Sequence, residues 1–501
     1  MSWNTGVRVA VVISLLIAGR TLWSAEPLVD AKLSVKDVPP IQMLVPGFSV
    51  YELPVDLPNI NNVRYRADGK MYALCYNGDI WLLSDADDDG FEETATKFFD
   101  NKPKEGGVPP LRGPIGLAVI PFEHPVLSPD VKGPAPWKKG IAKRDDDDEV
   151  DAAVGEAENQ KAPLTLALSP EDGGEGTKPE NEKRIKPAGV IVASKGKVSA
   201  IIDYDGDGRA DEEKIIATGW KEIPQNVDAV GVAIGFQGEI YFGLGTAAYN
   251  NAYLIDESGK AHYDIESERG TIQRILPDLS RRETVCTGVR FTIGLATNGV
   301  SVGGDDYESL FASDQEGATW LPNGNPFDEL LYIEPGKHYG FPPQHPKHLP
   351  DVTDTPSLFD YGPQHQSTCG IALNSWRHFS WIGSDKKVFH DALFGPEEWD
   401  GDFFVTGQSR GKLYRTQVKW ANSQYTARNH LIACLNMLTV DCCLRCRCDQ
   451  LACTRRQCYA RLRGRGSNDV AAELGQHQVD VVGRVPQLQA DHGRADNRSG
   501  T

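Results

Sequence analysis

One phrase recurs along this chain: a short apolar strand, a polar residue with glycine, then another strand. Asp68-Gly69-Lys70 leads into Met71-Tyr72-Ala73-Leu74, and Asn77-Gly78-Asp79 into Ile80-Trp81-Leu82-Leu83. Lys195-Gly196-Lys197-Val198, Gln237-Gly238-Glu239-Ile240-Tyr241 and Arg410-Gly411-Lys412-Leu413-Tyr414 repeat it. Glycine between alternating runs is the hairpin signal, because tight hairpin turns need positive φ. No helical period intervenes, which excludes a doubly wound α/β fold. Repeated four-strand units of roughly 40–50 residues predict an all-β chain, a β-propeller over residues 46–440. A two-sheet sandwich fits neither the length nor the likeness of the repeats.

Three stretches stand outside this grammar. Arg8 precedes an apolar run, Val9 to Gly19, and Ser24 and Ala25 follow. That order reads as a secretory signal peptide over 1–25, with an uncleaved anchor as the alternative. No later segment is apolar for the roughly 20 residues a span needs. Residues 130–187 hold Arg144-Asp145-Asp146-Asp147-Asp148-Glu149, then mostly Ala, Glu, Gly and Pro. Such text buries too little to order itself, so a disordered insertion is expected there. Beyond Asp441 the chain turns rich in Arg and Cys without Lys. Cys443 and Cys446 make one C-x-x-C, but no second follows at a finger-like distance. Residues 441–501 therefore read as an irregular, out-of-frame or disordered tail, leaving the last blade incomplete. A zinc or disulfide module is the other reading.

Two loops carry metal-binding chemistry. Asp203-Tyr204-Asp205-Gly206-Asp207-Gly208-Arg209-Ala210-Asp211 places acids at positions 1, 3, 5 and 9, with glycine at 6. Carboxylates at 1, 3 and 5 wrap a hard cation, position 7 (Arg209) offers its carbonyl, and position 9 adds an acid. Asp85, Asp87, Asp89 and Glu93, with Gly90 at position 6, repeat that register. Position 12 is Lys214 or Thr96, so the bidentate Glu of an EF-hand is missing. The expectation is calcium-stapled hairpins; the alternative is plain acidic turns. With 52 basic against 70 acidic residues the net charge is −18. That balance argues against nucleic acid and against docking on anionic lipid.

Residues 268–342 hold Thr287-Gly288-Val289-Arg290, Asp314-Gln315-Glu316-Gly317, Asp328-Glu329-Leu330 and Gly336-Lys337-His338-Tyr339-Gly340-Phe341-Pro342. In that order they resemble the glucose/sorbosone dehydrogenase superfamily, secreted six-bladed propellers that bind pyrroloquinoline quinone (PQQ) and calcium. The likeness extends to a group of secreted membrane-bound dehydrogenases on the same propeller. It implies a six-bladed fold and quinone-dependent oxidation of a sugar, alcohol or aldehyde. It further implies that Arg290 steadies the quinone, that Gln315, Glu316 and Gly317 line the cofactor calcium, and that Arg410 pairs a quinone carboxylate.

The catalytic His of that family is missing. Its place falls in Pro224-Gln225-Asn226-Val227-Asp228-Ala229-Val230-Gly231. Oxidising an alcohol needs a base for the hydroxyl proton. Asp228 is one candidate if desolvated, and His365, in a polar loop, is a second, as base or metal ligand. No G-x-S-x-G, Walker loop or HExxH occurs. Two functions stand open: a quinone-dependent dehydrogenase, or a non-catalytic, calcium-stabilised propeller that binds carbohydrate or protein.

Overall fold

The computed structural model describes residues 41–103, 107–132, 139–141, 186–223, 228–246, 254–255, 261–262, 268–302, 305–316, 327–342, 350–362, 365–375, 377–380, 387–390, 393–421, 424–435, 440–444, 450–454 and 459–464. The glycine turns appear where the hairpin pattern puts them. Gly69, Gly78, Gly196, Gly238 and Gly411 all have positive φ, between 57° and 95°. Among the described residues the helical content is three 3-10 turns, Pro125–Leu127, Glu397–Trp399 and Gln408–Arg410.

Five blades are wound from consecutive stretches of chain, each an antiparallel meander of four strands. The first is Ile60–Tyr65, Met71–Cys75, Ile80–Ser84 and Thr94–Phe99. The second is Leu117–Val119, Ala188–Ser194, Lys197–Asp203 and Glu212–Thr218. The third is Ala229–Ile234, Ile240–Leu244, Thr271–Ile275 and Arg282–Thr287, and the fourth Thr292–Val302, Asp305–Asp314, Asp328–Ile333 and Phe359–Tyr361. The fifth is Thr368–Asn374, Asp402–Gly407, Lys412–Ala421 and Gln424–Cys434, with Gln42–Met43 on its outer edge. A further sheet joins the two ends of the chain: Cys442–Leu444, Gln450–Thr454 and Tyr459–Gly464 pair in turn, and Phe48–Glu52 adds on as the fourth strand.

This arrangement corrects three expectations. Among the described residues the blades wound from consecutive chain number five, not six. The closing sheet is not left incomplete, because an N-terminal strand supplies its outer edge. The described residues of the tail are not irregular; Cys442–Leu444, Gln450–Thr454 and Tyr459–Gly464 form three of its four strands. The strands were obscured by Arg and Cys, although Tyr459-Ala460-Arg461-Leu462-Arg463 does alternate. Cys442 and Cys443 are buried core residues, as are Cys75, Cys286 and Cys369, and the rest of the zinc candidates lie outside the described side chains. One piece of the acidic insertion is also ordered: Lys139–Ile141 pairs in parallel with the outer strand Arg282–Thr287. Residues 1–40, where a signal peptide is expected, most of the insertion and everything past 464 lie outside the described residues.

An apolar cluster fills each junction between neighbouring sheets. Leu74, Ile80 and Phe98 meet Val190, Val192 and Ile201 between the first two blades. At the seam, Phe404 and Ile432 pack with Cys442, with Phe48 against them, and Met71 and Ala73 pack with Cys443. The innermost strands touch in ring order, and their backbones approach too closely for side chains. Gly231 sits at φ +55°, and a Cβ there would collide with Thr292 O. One on Gly294 would collide with Cys369 O, and one on Gly370 with Asp441. Bulges at these points, such as Val230/Val232 and Thr292/Gly294, open room for the approach.

Candidate functional site

Antiparallel pairing sorts the side chains onto two rims. Inner strands begin on the rim where second strands end and third strands begin: Ala229 faces Leu244, Thr292 faces Asp314, and Gly407 faces Lys412. Asp228, Arg290, Gln315, Glu316, His365 and Arg410 all lie at such points, so one rim carries every described residue the resemblance nominates for the cofactor. The acidic loops join third strands to fourth, Ser84 to Thr94 and Asp203 to Glu212. They therefore sit on the opposite rim.

On the first rim, most of the nominated residues converge on two buried aspartates. Arg290 is 4% exposed. Its guanidinium donates from Nη1 to Gln315 O at 2.5 Å and lies over the Phe291 ring, 5.1 Å from its centre. Asp314 takes the amides of Arg290 and Phe291 at 2.8 and 2.6 Å. Asp328, wholly buried, takes Glu316 N at 3.0 Å, His365 Nδ1 at 2.9 Å and Gln366 N at 2.8 Å. Through Asp328 the Gln315-Glu316 turn and His365 become one hydrogen-bonded unit. Burial pushes the Asp314 carboxyl up to about 6, against the pull of Arg290. Burial, and then neighbouring Asp314, push Glu316 well above the usual range. Proton uptake is how crowded acids in low dielectric relieve their repulsion.

Asp228 does not join this unit. Its carboxylate is fully buried and engaged on both oxygens: Arg269 Nη1 ion-pairs with Oδ1, while Gly196 N and Trp220 Nε1 donate to Oδ2 at 2.9 and 3.0 Å. A carboxylate holding three donors, one of them a guanidinium, is committed to the protein's own groups and not to a substrate. The base role read for Asp228 is thus corrected to a structural one. Arg410 sits on the rim, in the turn Gln408–Arg410; its side chain lies outside the described residues, as does Gly317.

Sequence reasoning missed Asp314, Asp328, Arg269 and Ser367 as site residues. Asp328 stands in the Asp-Glu-Leu string, yet its partner His365 lies 37 positions on, and no local spacing joins the two. Thr246 was also missed: its Oγ1 is buried with no partner among the described residues, and its amide donates to Arg290 O at 3.1 Å.

The two loops on the opposite rim share one geometry. Position 1 accepts from the amide of position 6, Gly90 N to Asp85 at 2.8 Å and Gly208 N to Asp203 at 2.9 Å. Position 9 accepts from the amide of position 2, Ala86 N to Glu93 at 2.6 Å and Tyr204 N to Asp211 at 2.7 Å. Oxygens of Asp85, Asp87, Asp89 and Glu93 lie within 4.8 Å of one another, as do those of Asp203, Asp205 and Asp211. Asp207 stands outside the second group, its Oδ1 accepting from Arg209 N at 2.7 Å. Burial pushes the Asp203 carboxyl up. A polar cleft of about 300 Å³ lies beside this loop, with Arg66, Lys70 and Lys186 on its wall. Lys214, at position 12, is buried and donates to Val126 O and Ser128 O at 3.0 and 2.8 Å, so it cannot act as a ligand.

Residues 185–430 match the sequence family described as a domain of unknown function, DUF7133. No curated protein matches the chain. Among solved structures, a calcium structure of Trichoderma reesei carbohydrate-active enzyme family AA12 is similar at 11% identity. It covers 85% of this chain and 98% of that one with a TM-score of 0.53. A Thermus thermophilus protein described as an oxidoreductase (glucose dehydrogenase) has 15% identity, coverage of 83% and 100%, and a TM-score of 0.49. The PQQ domain of Coprinopsis cinerea pyranose dehydrogenase has 10% identity, coverage of 85% and 98%, and a TM-score of 0.49. At such identities the likeness is one of fold. No helix among the described residues is long and apolar enough to cross a membrane.

Proposed function

We infer that the rim holding Arg290 and His365 is the reaction site of a quinone-dependent oxidation of a sugar, alcohol or aldehyde. One observation carries this reading: wholly buried Asp328 couples the His365 imidazole to the turn that accepts from Arg290. A base oriented by a buried carboxylate, beside a fixed guanidinium, is the pairing that alcohol oxidation needs.

The donor set fits PQQ in part. Its carboxylates and carbonyls need cations and donors, and Arg290 with Thr246 Oγ1, unpartnered among the described residues, supplies both. The Gln315 carbonyl fits less well as a calcium ligand, because it accepts from Arg290. PQQ, when bound, supplies an electrophilic carbonyl that takes up hydride. Arg290 would hold an oxygen of that group without losing its own charge. With Nδ1 donating to Asp328, His365 keeps Nε2 as the acceptor for the substrate's hydroxyl proton, reached through Ser367 Oγ at 2.7 Å. Titrating the protein with PQQ and calcium, followed by absorbance, tests this reading. Saturable binding that Arg290→Ala weakens at least tenfold supports it, as does dye reduction with an aldose that His365→Gln abolishes; no quinone binding ends it.

The fully engaged Asp228 favours a second reading, a non-catalytic propeller stabilised by calcium that binds carbohydrate or protein. Calcium at Asp203–Asp211 and Asp85–Glu93 is part of both readings, and its support is the shared loop geometry. The segment 1–25 supports export to the periplasm or the exterior, where calcium is available; cell fractionation tests it.

A further inference from the structure

The hydrogen-bond chain that starts at Asp328 does not stop at His365. Beyond the imidazole, Nε2 meets Ser367 Oγ at 2.7 Å. Because Nδ1 donates to the carboxylate, Nε2 holds the lone pair and Ser367 is the donor. Ser367 itself sits at φ +52°, a left-handed conformation uncommon for a residue with a side chain. Its carbonyl is held there by Gln408 N at 2.9 Å and Cys369 Sγ at 3.2 Å. Strain of this kind persists only where the surroundings impose it, often at reactive sites. Gln366, between the two residues, accepts from Lys412 Nζ at 3.3 Å, which brings a positive charge to the same rim.

We propose that Ser367 is a nucleophile and that this rim hydrolyses a small polar ester, such as a lactone. The geometry is the general one for activated serine: hydroxyl, imidazole and buried carboxylate in hydrogen-bonded order. Ser367 Oγ bonds to the acyl carbon as its proton passes to His365 Nε2. The ring C–O bond of the lactone breaks, and its oxygen takes that proton. Water then attacks the acyl-serine, gives a proton to His365, and releases the hydroxy acid as Ser367 recovers its hydrogen. No oxidant or cofactor enters, so the proposal is independent of the quinone reading. Lys412 supplies positive potential for the developing oxyanion.

The test uses the full chain without quinone. It is treated with a fluorophosphonate reagent, then analysed by intact mass and peptide mapping; hydrolysis of gluconolactone and of p-nitrophenyl acetate is followed in parallel. The expected result is one adduct, on Ser367, and hydrolysis at least 100-fold above buffer. Ser367→Gly relieves the backbone strain while removing the hydroxyl, so it should stay folded and lose both adduct and turnover. His365→Gln should slow labelling at least 100-fold. An unlabelled protein, an adduct elsewhere, or a Ser367→Gly variant that still turns over lactone at the parent rate would each overturn the proposal. Quinone binding by absorbance, measured on the same sample, reports separately on the oxidation reading.

Discussion

Asn62 Nδ2 donates to Asp441 Oδ2 at 3.1 Å, across 379 positions of chain, and so locks the first blade to the residue that opens the closing sheet. Val63 N donates to the same oxygen at 3.1 Å, and Arg64 ion-pairs with it. Without this seam the first and fifth blades would each present an uncovered apolar face. A chain ending at Val440 should therefore lack a cooperative melt and aggregate. Asp441→Ala in the full chain should lose on the order of 3 kcal/mol, the cost of breaking a buried ion pair from one side. Urea denaturation of both variants decides; a truncated chain that melts like the parent would show that the closing sheet adds nothing.

The Asp228–Arg269 pair is buried on both sides, with side chains 0% and 5% exposed. Asp228→Asn removes the carboxylate that Arg269 ion-pairs with and should cost roughly 3–5 kcal/mol of stability. Stability and turnover should fall together. A variant of parental stability that has lost only turnover would restore Asp228 as the base.

Chelation should lower the melting temperature and calcium should restore it, since a ligand bound by the folded chain alone stabilises it. The two loops carry separate ligand sets, so Asp203→Asn with Asp205→Asn should remove one part of the response and Glu93→Gln another. Scanning calorimetry with and without chelator measures this. A melting temperature that ignores both chelator and substitutions would reduce the loops to plain turns.

Asp314 links folding to pH. Its folded value, about 6, lies above the ordinary 3.8, so between these values the folded chain holds a proton that the unfolded chain has released. The stability contributed by the neutral form is complete below about pH 4 and is lost as pH rises through about 6. Asp314→Asn should flatten that slope while costing part of the amide bonding at Arg290 and Phe291. Urea midpoints from pH 4 to 7 are the measurement; parallel curves for parent and variant would place the titration elsewhere.

What the chain announces by itself is local. Glycine at turn positions, alternation between them and acids at every second place of two loops are read within a dozen residues, and they specify hairpins, an all-β fold and the shared turn geometry of the acidic loops. Gly231, Gly294 and Gly370 are equally plain as residues, but their purpose, the near-contact of inner strands, exists only once blades stand side by side. The same limit applies to chemistry. Asp228 looked available as a base until folding brought Arg269 and Trp220 onto it, and His365 was an ordinary loop histidine until Asp328 reached it across a blade. The segment after Asp441 shows how far this goes: its strands carry a weak alternation, they pair with one another, and Phe48–Glu52, from the other end of the chain, completes their sheet as its fourth strand. Hydrogen bonds of strand ladders and turns are set by neighbours in sequence, whereas burial, ion pairing and ring closure depend on which distant segment arrives, and only the tertiary structure decides that.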